Sequence, residues 1–234
     1  MITIQAIKLE QKVNNWLSLL KFVSLEKKHK IQRFIHEDDA RRSLIAELLV
    51  KKILLENYNL KQIVLRKNAY GKPMIEDPKN IHFNIAHSGC WVVCAFSNSP
   101  LGVDIEKIKP IDINIAKDFF SEKEYYSLIK MKKNEQLIHF YDLWTSKESY
   151  VKAIGKGLQL ALDSFSVQIS TNGIKLEDIK DSYHYFFKQY NIDPNYRFTI
   201  CSSIESFPPR VSIDNEQNLY KFFLHQDQER NFNI

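Results

Sequence analysis

From Ile81 to Val103 the chain carries no Asp, Glu, Lys or Arg. A run of that length could cross a bilayer, so its polarity separates two classes of protein. His82, Asn84, His87, Ser88, Asn98 and Pro100 interrupt it. That makes it too polar for the roughly 20 apolar residues of a membrane-spanning helix. Read as strands, Ile81–Ile85 and Trp91–Ser97 pair across a His87-Ser88-Gly89 turn, and Leu101–Glu106 forms another strand.

The rest of the chain fits around these strands. Residues 2–10 alternate like a strand. From Ser24 to Tyr58, Phe34, Ile35, Leu44, Ile45, Leu48, Leu49 and Ile53 recur at helical steps. Ile63–Leu65 reads as a short strand and Tyr70-Gly71-Lys72-Pro73 as a turn. Helices are predicted over Ser121–Met131 and Asp142–Ile154, and strands over Phe165–Ile169, Tyr185–Gln189 and Arg197–Cys201. The order predicts an α+β fold of two similar halves, residues 1–101 and 102–234, meeting near Pro100-Leu101. The polar tail from Asn215 is assigned no regular structure.

The 234 residues suffice for a sizeable core, and 44% hydrophobic with 26% charged residues excludes a disordered or fibrous chain. The net charge of +5 is spread along the sequence, without the concentrated basic stripe of a nucleic-acid reader. Lys27-Lys28-His29-Lys30 is a local basic cluster, readable as a solvated helix face or as a small anion site. The start is strand-like rather than a signal peptide. The three cysteines (Cys90, Cys94, Cys201) lack metal-site spacing. The expectation is a reduced, cytoplasmic protein with no membrane or nucleic-acid partner.

Several residues could do chemistry. Asp104 and Glu106 lie two apart on a strand and project from one face. They are either solvent-facing acids at a strand end or ligands of a hard divalent cation. Glu148 and Lys152, at i and i+4 on a helix, also share a face. They read as a surface pair worth about 0.3–0.5 kcal/mol, or as a third carboxylate beside a phosphate-contacting lysine. Thr145-x-x-Glu148 and Ser121-x-x-Glu124 both fit a capping box. His87 would meet an anion or be structural. A serine or thiol hydrolase built on Ser88 or Cys90 would leave Lys152 and the Asp104/Glu106 pair idle.

Five segments in this order resemble the 4'-phosphopantetheinyl transferases of the surfactin-synthetase-activating type. They are Tyr70-Gly71-Lys72-Pro73; Phe83-Asn84-Ile85-Ala86-His87-Ser88-Gly89-Cys90-Trp91-Val92-Val93; Leu101-Gly102-Val103-Asp104-Ile105-Glu106-Lys107; Phe119-Phe120-Ser121-x-x-Glu124-Tyr125; and Leu143-Trp144-x-x-Lys147-Glu148-Ser149-Tyr150-x-Lys152-x-x-Gly155-Lys156-Gly157-Leu158.

The resemblance implies a monomeric enzyme of two pseudo-symmetric halves with coenzyme A in the cleft between them. It would transfer 4'-phosphopantetheine to a serine of an apo peptidyl, aryl or acyl carrier domain, releasing 3',5'-ADP, and the branch it resembles favours a nonribosomal peptide or polyketide synthetase over a fatty-acid partner. Asp104, Glu106 and Glu148 would hold Mg²⁺ (or Mn²⁺) on the pyrophosphate, with Glu148 and Lys152 catalytic. His87 and Lys152 would contact phosphates, Lys27, Lys30 and Ser43 the 3'-phosphate, and backbone around Tyr70, Gly71 and Lys72 the adenine. The family often has Ser where this chain has Ala86, so one hydroxyl contact would be missing. The stretch from Lys107 to Phe120, apolar with basic flanks, is either a carrier-docking surface or packing between the halves.

Overall fold

The computed structural model describes residues 1–10, 15–60, 63–177 and 184–232. The amino-terminal part runs β1 (Thr3–Lys8), α1 (Leu25–Gln32), α2 (Glu37–Tyr58), β2 (Leu65–Lys67), β3 (Pro73–Ile75), β4 (His82–Ser88) and β5 (Trp91–Ser97). The chain then crosses to β6 (Leu101–Lys107), α3 (Ala116–Phe119), α4 (Glu122–Lys130), α5 (Lys133–Ile154), β7 (Ser166–Ser170), β8 (Gly173–Glu177), β9 (Phe186–Gln189) and β10 (Tyr196–Ser202). It closes with β11 (Ser212–Asn215) and α6 (Glu216–Phe232).

The layers are helix, sheet, sheet, helix. A four-stranded sheet in the order β11-β1-β5-β4 lies against a three-stranded sheet, β6-β10-β9. A 22-residue helix covers the outer face of each, α2 on the first and α5 on the second. This is the expected two-half α+β fold. Ile7, Val92, Cys94 and Phe96 face α2, whereas Ile4, Ala6, Val93 and Ala95 face Leu101, Val103 and Ile105 across the sheet-to-sheet layer. Every residue of β5 is buried. The uncharged run is therefore a strand pair and crossover whose inner strand, β5, lies enclosed between layers, where a charge would have no water. Among the described residues, no helix is long and apolar enough to cross a membrane.

Several local expectations need correction. The helix predicted from Ser24 to Tyr58 is two helices, α1 and α2. Ser24 caps α1 by accepting from Lys27 N at 3.2 Å, Arg33 ends it, and His36 is extended before α2 starts. The strand read at Ile63–Leu65 begins at Leu65. His87 and Ser88 belong to β4, facing Val92 and Trp91 in register, so the turn is Gly89-Cys90.

The helix predicted from Asp142 starts at Lys133, which puts Thr145 in its interior. Thr145 therefore caps nothing; its hydroxyl donates to Tyr141 O at 2.9 Å and meets Thr199 Oγ1 at 2.8 Å. The polar tail is also ordered. β11 adds to β1 in parallel register, and Leu219 and Phe223, four apart on α6, enter the core against α2. Glu216 is fully buried and pairs with Arg41 of α2. Residues 212–232 thus return to the amino-terminal sheet.

Candidate active site

The two sheets meet along β4 and β6, and polar side chains of β4 stitch the seam. Asn84 Oδ1 accepts from Val103 N at 2.8 Å. Ser88 Oγ donates to Glu106 Oε2 at 2.7 Å and accepts from Lys107 N at 3.1 Å. Asn84, Ala86 and Ser88 alternate onto one face of β4. Ala86 sits in the apolar layer between the sheets.

On β6, Gly102, Asp104 and Glu106 face α5. A Cβ on Gly102 would stand 2.1 Å from Ser149 O and 2.4 Å from Ala153 N. Only glycine lets the helix backbone lie directly on the strand there. This close approach lets Lys152 of α5 reach Asp104, with Nζ 2.6 Å from Oδ1. Asp104 is 4% exposed, and its Oδ2 has no hydrogen-bond partner. Glu106 and Glu148 are half-buried beside it.

Burial raises the pKa of Asp104, against the pull of Lys152. Burial and then the Asp104 charge raise Glu106, with Glu148 adding to the effect. Burial and Asp104 also raise Glu148. Burial alone would depress Lys152, but Asp104, Glu148 and Glu106 together hold it above its ordinary value. The cluster holds more negative charge than its one lysine offsets.

As placed, no three His, Cys, Asp or Glu side chains among the described residues are grouped to hold a metal ion. The donor set nevertheless fits a hard cation. It consists of carboxylate oxygens, one of them buried and unpaired; burial shifts all three acids toward protonation, and the Asp104 charge adds to the shift of Glu106 and Glu148.

Beside this cluster, His87 stands exposed at the end of β4. Desolvation by the protein around it, then the charge of Arg42, presses its pKa down. Arg42 donates to Gly89 O at 2.7 Å and pairs with Asp39, so it fixes the turn after β4. Arg41 turns away from the site. It binds Glu216, and its Nη1 donates to Glu10 O at 2.7 Å.

A cavity of ≈ 280 Å³ opens on the amino-terminal side, lined among others by Lys27, Lys30, Lys51, Arg66, Lys67 and Gly71. Three of the expected residues, Lys27, Lys30 and Gly71, are thus brought together. Ser43, buried on α2, is not in its lining. Burial lowers the Lys27 pKa, opposed by Glu47 at 3.7 Å. Lys51 of α2 and Arg66 and Lys67 of β2 escaped sequence reading because they lie on elements other than the one that carries Lys27 and Lys30.

The turn before β3 is held by Asn68, whose Oδ1 accepts from Tyr70 N and Lys72 N, both at 2.9 Å. Gly71 N donates to Asn68 O at 3.0 Å, with Gly71 at φ +86°. Tyr70 is exposed, and Lys72 points toward α5.

The Ser121-x-x-Glu124 capping box is present, and it also carries a buried ion pair. Glu124 Oε1 and Oε2 each lie 2.7 Å from Lys147 Nζ, and Oε1 accepts from Val167 N at 2.7 Å. Lys147 Nζ also donates to Phe165 O at 2.6 Å. Lys147 thus pins α5 to α4 and β7, while its neighbour Glu148 faces the seam. In the stretch after β6, Ala116 and Phe120 are buried, and Ile111, Ile115 and Phe119 remain exposed.

A family model described as "4'-phosphopantetheinyl transferase superfamily" matches residues 100–201. One described as "4'-phosphopantetheinyl transferase, N-terminal" matches residues 10–99. The 4'-phosphopantetheinyl transferase ffp of Bacillus subtilis is 46% identical over 198 residues, covering 83% of this chain and 88% of that protein. The 4'-phosphopantetheinyl transferase Sfp of Bacillus subtilis (strain 168) is 43% identical over 203 residues, covering 86% and 91%. The solved holo-[acyl-carrier-protein] synthase of Thermotoga maritima aligns with 44% of this chain and 62% of its own at 16% identity, with a TM-score of 0.39. With both parts of the chain matched and such identities over most of its length, this protein belongs to the 4'-phosphopantetheinyl transferase superfamily, in its Sfp-type branch.

Proposed function

We propose that this transferase moves the 4'-phosphopantetheine of coenzyme A onto a serine of an apo carrier domain belonging to a nonribosomal peptide or polyketide synthetase. The observation that carries this reading is the seam itself. Three carboxylates and Lys152 gather where the two sheets meet, and a separate cavity of the amino-terminal half is lined by Lys27, Lys30, Lys51, Arg66 and Lys67. Coenzyme A is strongly anionic at its 3'-phosphate and pyrophosphate, and cationic side chains recognise such groups. Lys27 and Lys30, which line the cavity, would meet the 3'-phosphate. The N–H groups of Tyr70, Gly71 and Lys72 are engaged within their own turn. An adenine there would therefore donate to carbonyl oxygen rather than accept from the turn.

Asp104, Glu106 and Glu148 would hold Mg²⁺, which supplies charge neutralisation on the pyrophosphate oxygens when bound. Glu148, its pKa raised by burial and by Asp104, takes the proton from the carrier serine. The serine oxygen bonds to the β-phosphorus. The bond from that phosphorus to the bridging oxygen breaks, and the oxygen leaves with 3',5'-ADP. Lys152 would neutralise charge on the departing 3',5'-ADP and His87 would contact its phosphate; such positioning and neutralisation dominate this class of reaction. The exposed Ile111, Ile115 and Phe119, flanked by Lys107, Lys109 and Lys117, form the surface for a small acidic carrier domain.

Intact mass spectrometry of an apo peptidyl carrier domain incubated with the protein, coenzyme A and Mg²⁺ tests this. A gain of one phosphopantetheine, absent without metal or with carrier Ser→Ala, is expected. No gain on several apo carriers would overturn the reading.

A further inference from the structure

We infer that Lys72 and Asn68 are positioning residues of the transfer reaction: from a turn of the amino-terminal half they hold the end of the helix that carries Glu148 and Lys152. The inference rests on the proposed function and extends it to two side chains facing away from the nucleotide cavity. Lys72 Nζ donates to Lys152 O at 2.5 Å and to Leu101 O at 3.0 Å. Asn68 Nδ2 donates to Gly155 O at 2.9 Å. Lys152 O is among the last carbonyls of α5, which have no partner within the helix and form the negative end of its dipole. An ammonium and an amide are the groups such an end takes.

The contact is placed where it matters. Lys152 receives the Lys72 ammonium on its carbonyl while its own side chain reaches Asp104. Leu101 opens the strand that carries Asp104 and Glu106. One ammonium therefore clamps the end of α5 to the start of β6. At that crossing Gly102 leaves no side chain between helix and strand, so a small slide of α5 is not absorbed by a flexible contact. Asn68 completes the arrangement, because its Oδ1 organises the turn by accepting from Tyr70 N and Lys72 N while its Nδ2 grips the helix. Asn68 and Lys72 thus join the turn proposed to receive the adenine to the cap of the catalytic helix. Lys72 cannot serve the phosphates in this arrangement, since its nitrogen is occupied by two protein carbonyls, and burial pushes its pKa down to about 8.

The test compares Lys72→Met and Asn68→Ala with the wild-type chain. The readouts are kcat and KM for coenzyme A with an apo carrier domain, the Kd of coenzyme A without carrier by calorimetry, and amide hydrogen exchange. Misplacing reacting groups by about an ångström costs on the order of 10²-fold. Lys72→Met is thus expected to lower kcat at least about tenfold and Asn68→Ala by about threefold, with Kd within about threefold of wild type. Amides at the end of α5 should exchange faster while those of β5 stay protected, a local change that general destabilisation would not give. If Lys72→Met does not fold, Asn68→Ala carries the same comparison.

Unchanged kcat in both variants would overturn the inference. So would a Kd weakened as much as kcat/KM with kcat intact, since Lys72 would then be a ligand for coenzyme A. No transfer by the wild-type chain would instead remove the proposed function, and this inference with it.

Discussion

Lys152 Nζ lies 2.6 Å from Asp104 Oδ1, while Asp104 Oδ2, equally buried, has no hydrogen-bond partner. The pair joins α5 to β6 across the point where Gly102 brings the two backbones together. One side of the carboxylate is thus held by the protein's own cation. The other faces a cluster in which Glu106 and Glu148 repel it.

A cluster short of positive charge is stabilised by a cation that binds only the folded state. Mg²⁺ should therefore raise the unfolding temperature, by about 2.7 kcal/mol of added stability at a hundredfold excess over Kd. Asp104→Asn should lose most of that increment in differential scanning calorimetry. An equal Mg²⁺-dependent rise in both proteins would remove Asp104 from the metal site.

Glu148→Gln keeps the shape of the side chain and removes its basicity. General base catalysis contributes about 10²–10⁴-fold, so kcat at saturating coenzyme A and Mg²⁺ should fall by that order. Retained transfer would rule out the base role.

Lys147 and Glu124 are a buried pair with additional partners at Phe165 O and Val167 N. Removing one member leaves the other charge buried alone, which typically costs about 3–5 kcal/mol. Lys147→Met should therefore lower stability in urea unfolding by that amount. Glu124→Gln, which leaves the Lys147 ammonium without a counter-charge and turns an amide NH2 toward N–H donors, should cost a comparable amount. A loss below about 1 kcal/mol for Lys147→Met would mean the pair is not what fastens α5 to α4 and β7.

Gly102→Ala places a methyl group 2.1 Å from Ser149 O, inside any allowed contact. The helix must move off the strand, at a cost of about 1–3 kcal/mol for overpacking. Transfer should fall more than stability suggests, because Glu148 and Lys152 move with the helix. Full activity in a folded Gly102→Ala variant would show that the helix-to-strand distance is not critical.

Burial lowers the Lys72 pKa from 10.5 to about 8, with the buried Cys201 thiol opposing it, while His82 on β4 is pressed down in turn by burial and by Lys72. Between about pH 8 and 10.5 the unfolded chain binds the proton that the folded chain has released, so the contribution of Lys72 to stability rises with pH in that window. Its clamp on α5 weakens in the same window, because a neutral amine is a poorer donor to Lys152 O and Leu101 O. Activity should therefore decline above about pH 8 without a matching fall in unfolding temperature from this residue. The decline should be smaller in Lys72→Met, and an identical alkaline limb in the variant would assign it to another group.

Much of the site was legible because it depends on local periodicity. A period of two puts Asp104 and Glu106 on one face of β6 whatever lies opposite, and a period of 3.6 does the same for Glu148 and Lys152. The uncharged stretch from Ile81 marked interior strands for a similarly local reason, and five short segments identified the family. The α6 helix was missed because its signal, Leu219 and Phe223 among polar neighbours, is narrow.

What the sequence determined by itself was therefore the set of elements, the faces they present and the chemical groups on those faces. Only the tertiary structure decided which faces meet. It brought β11 and α6 back to the first sheet, gave Arg41 to Glu216 and Lys147 to Glu124, and set Asn68 and Lys72 on the end of α5. These pairings join residues far apart in the chain, and no periodicity encodes them. They are selected when buried charges and the unpaired carbonyls of a helix end must find partners inside the packed layers, where water cannot serve.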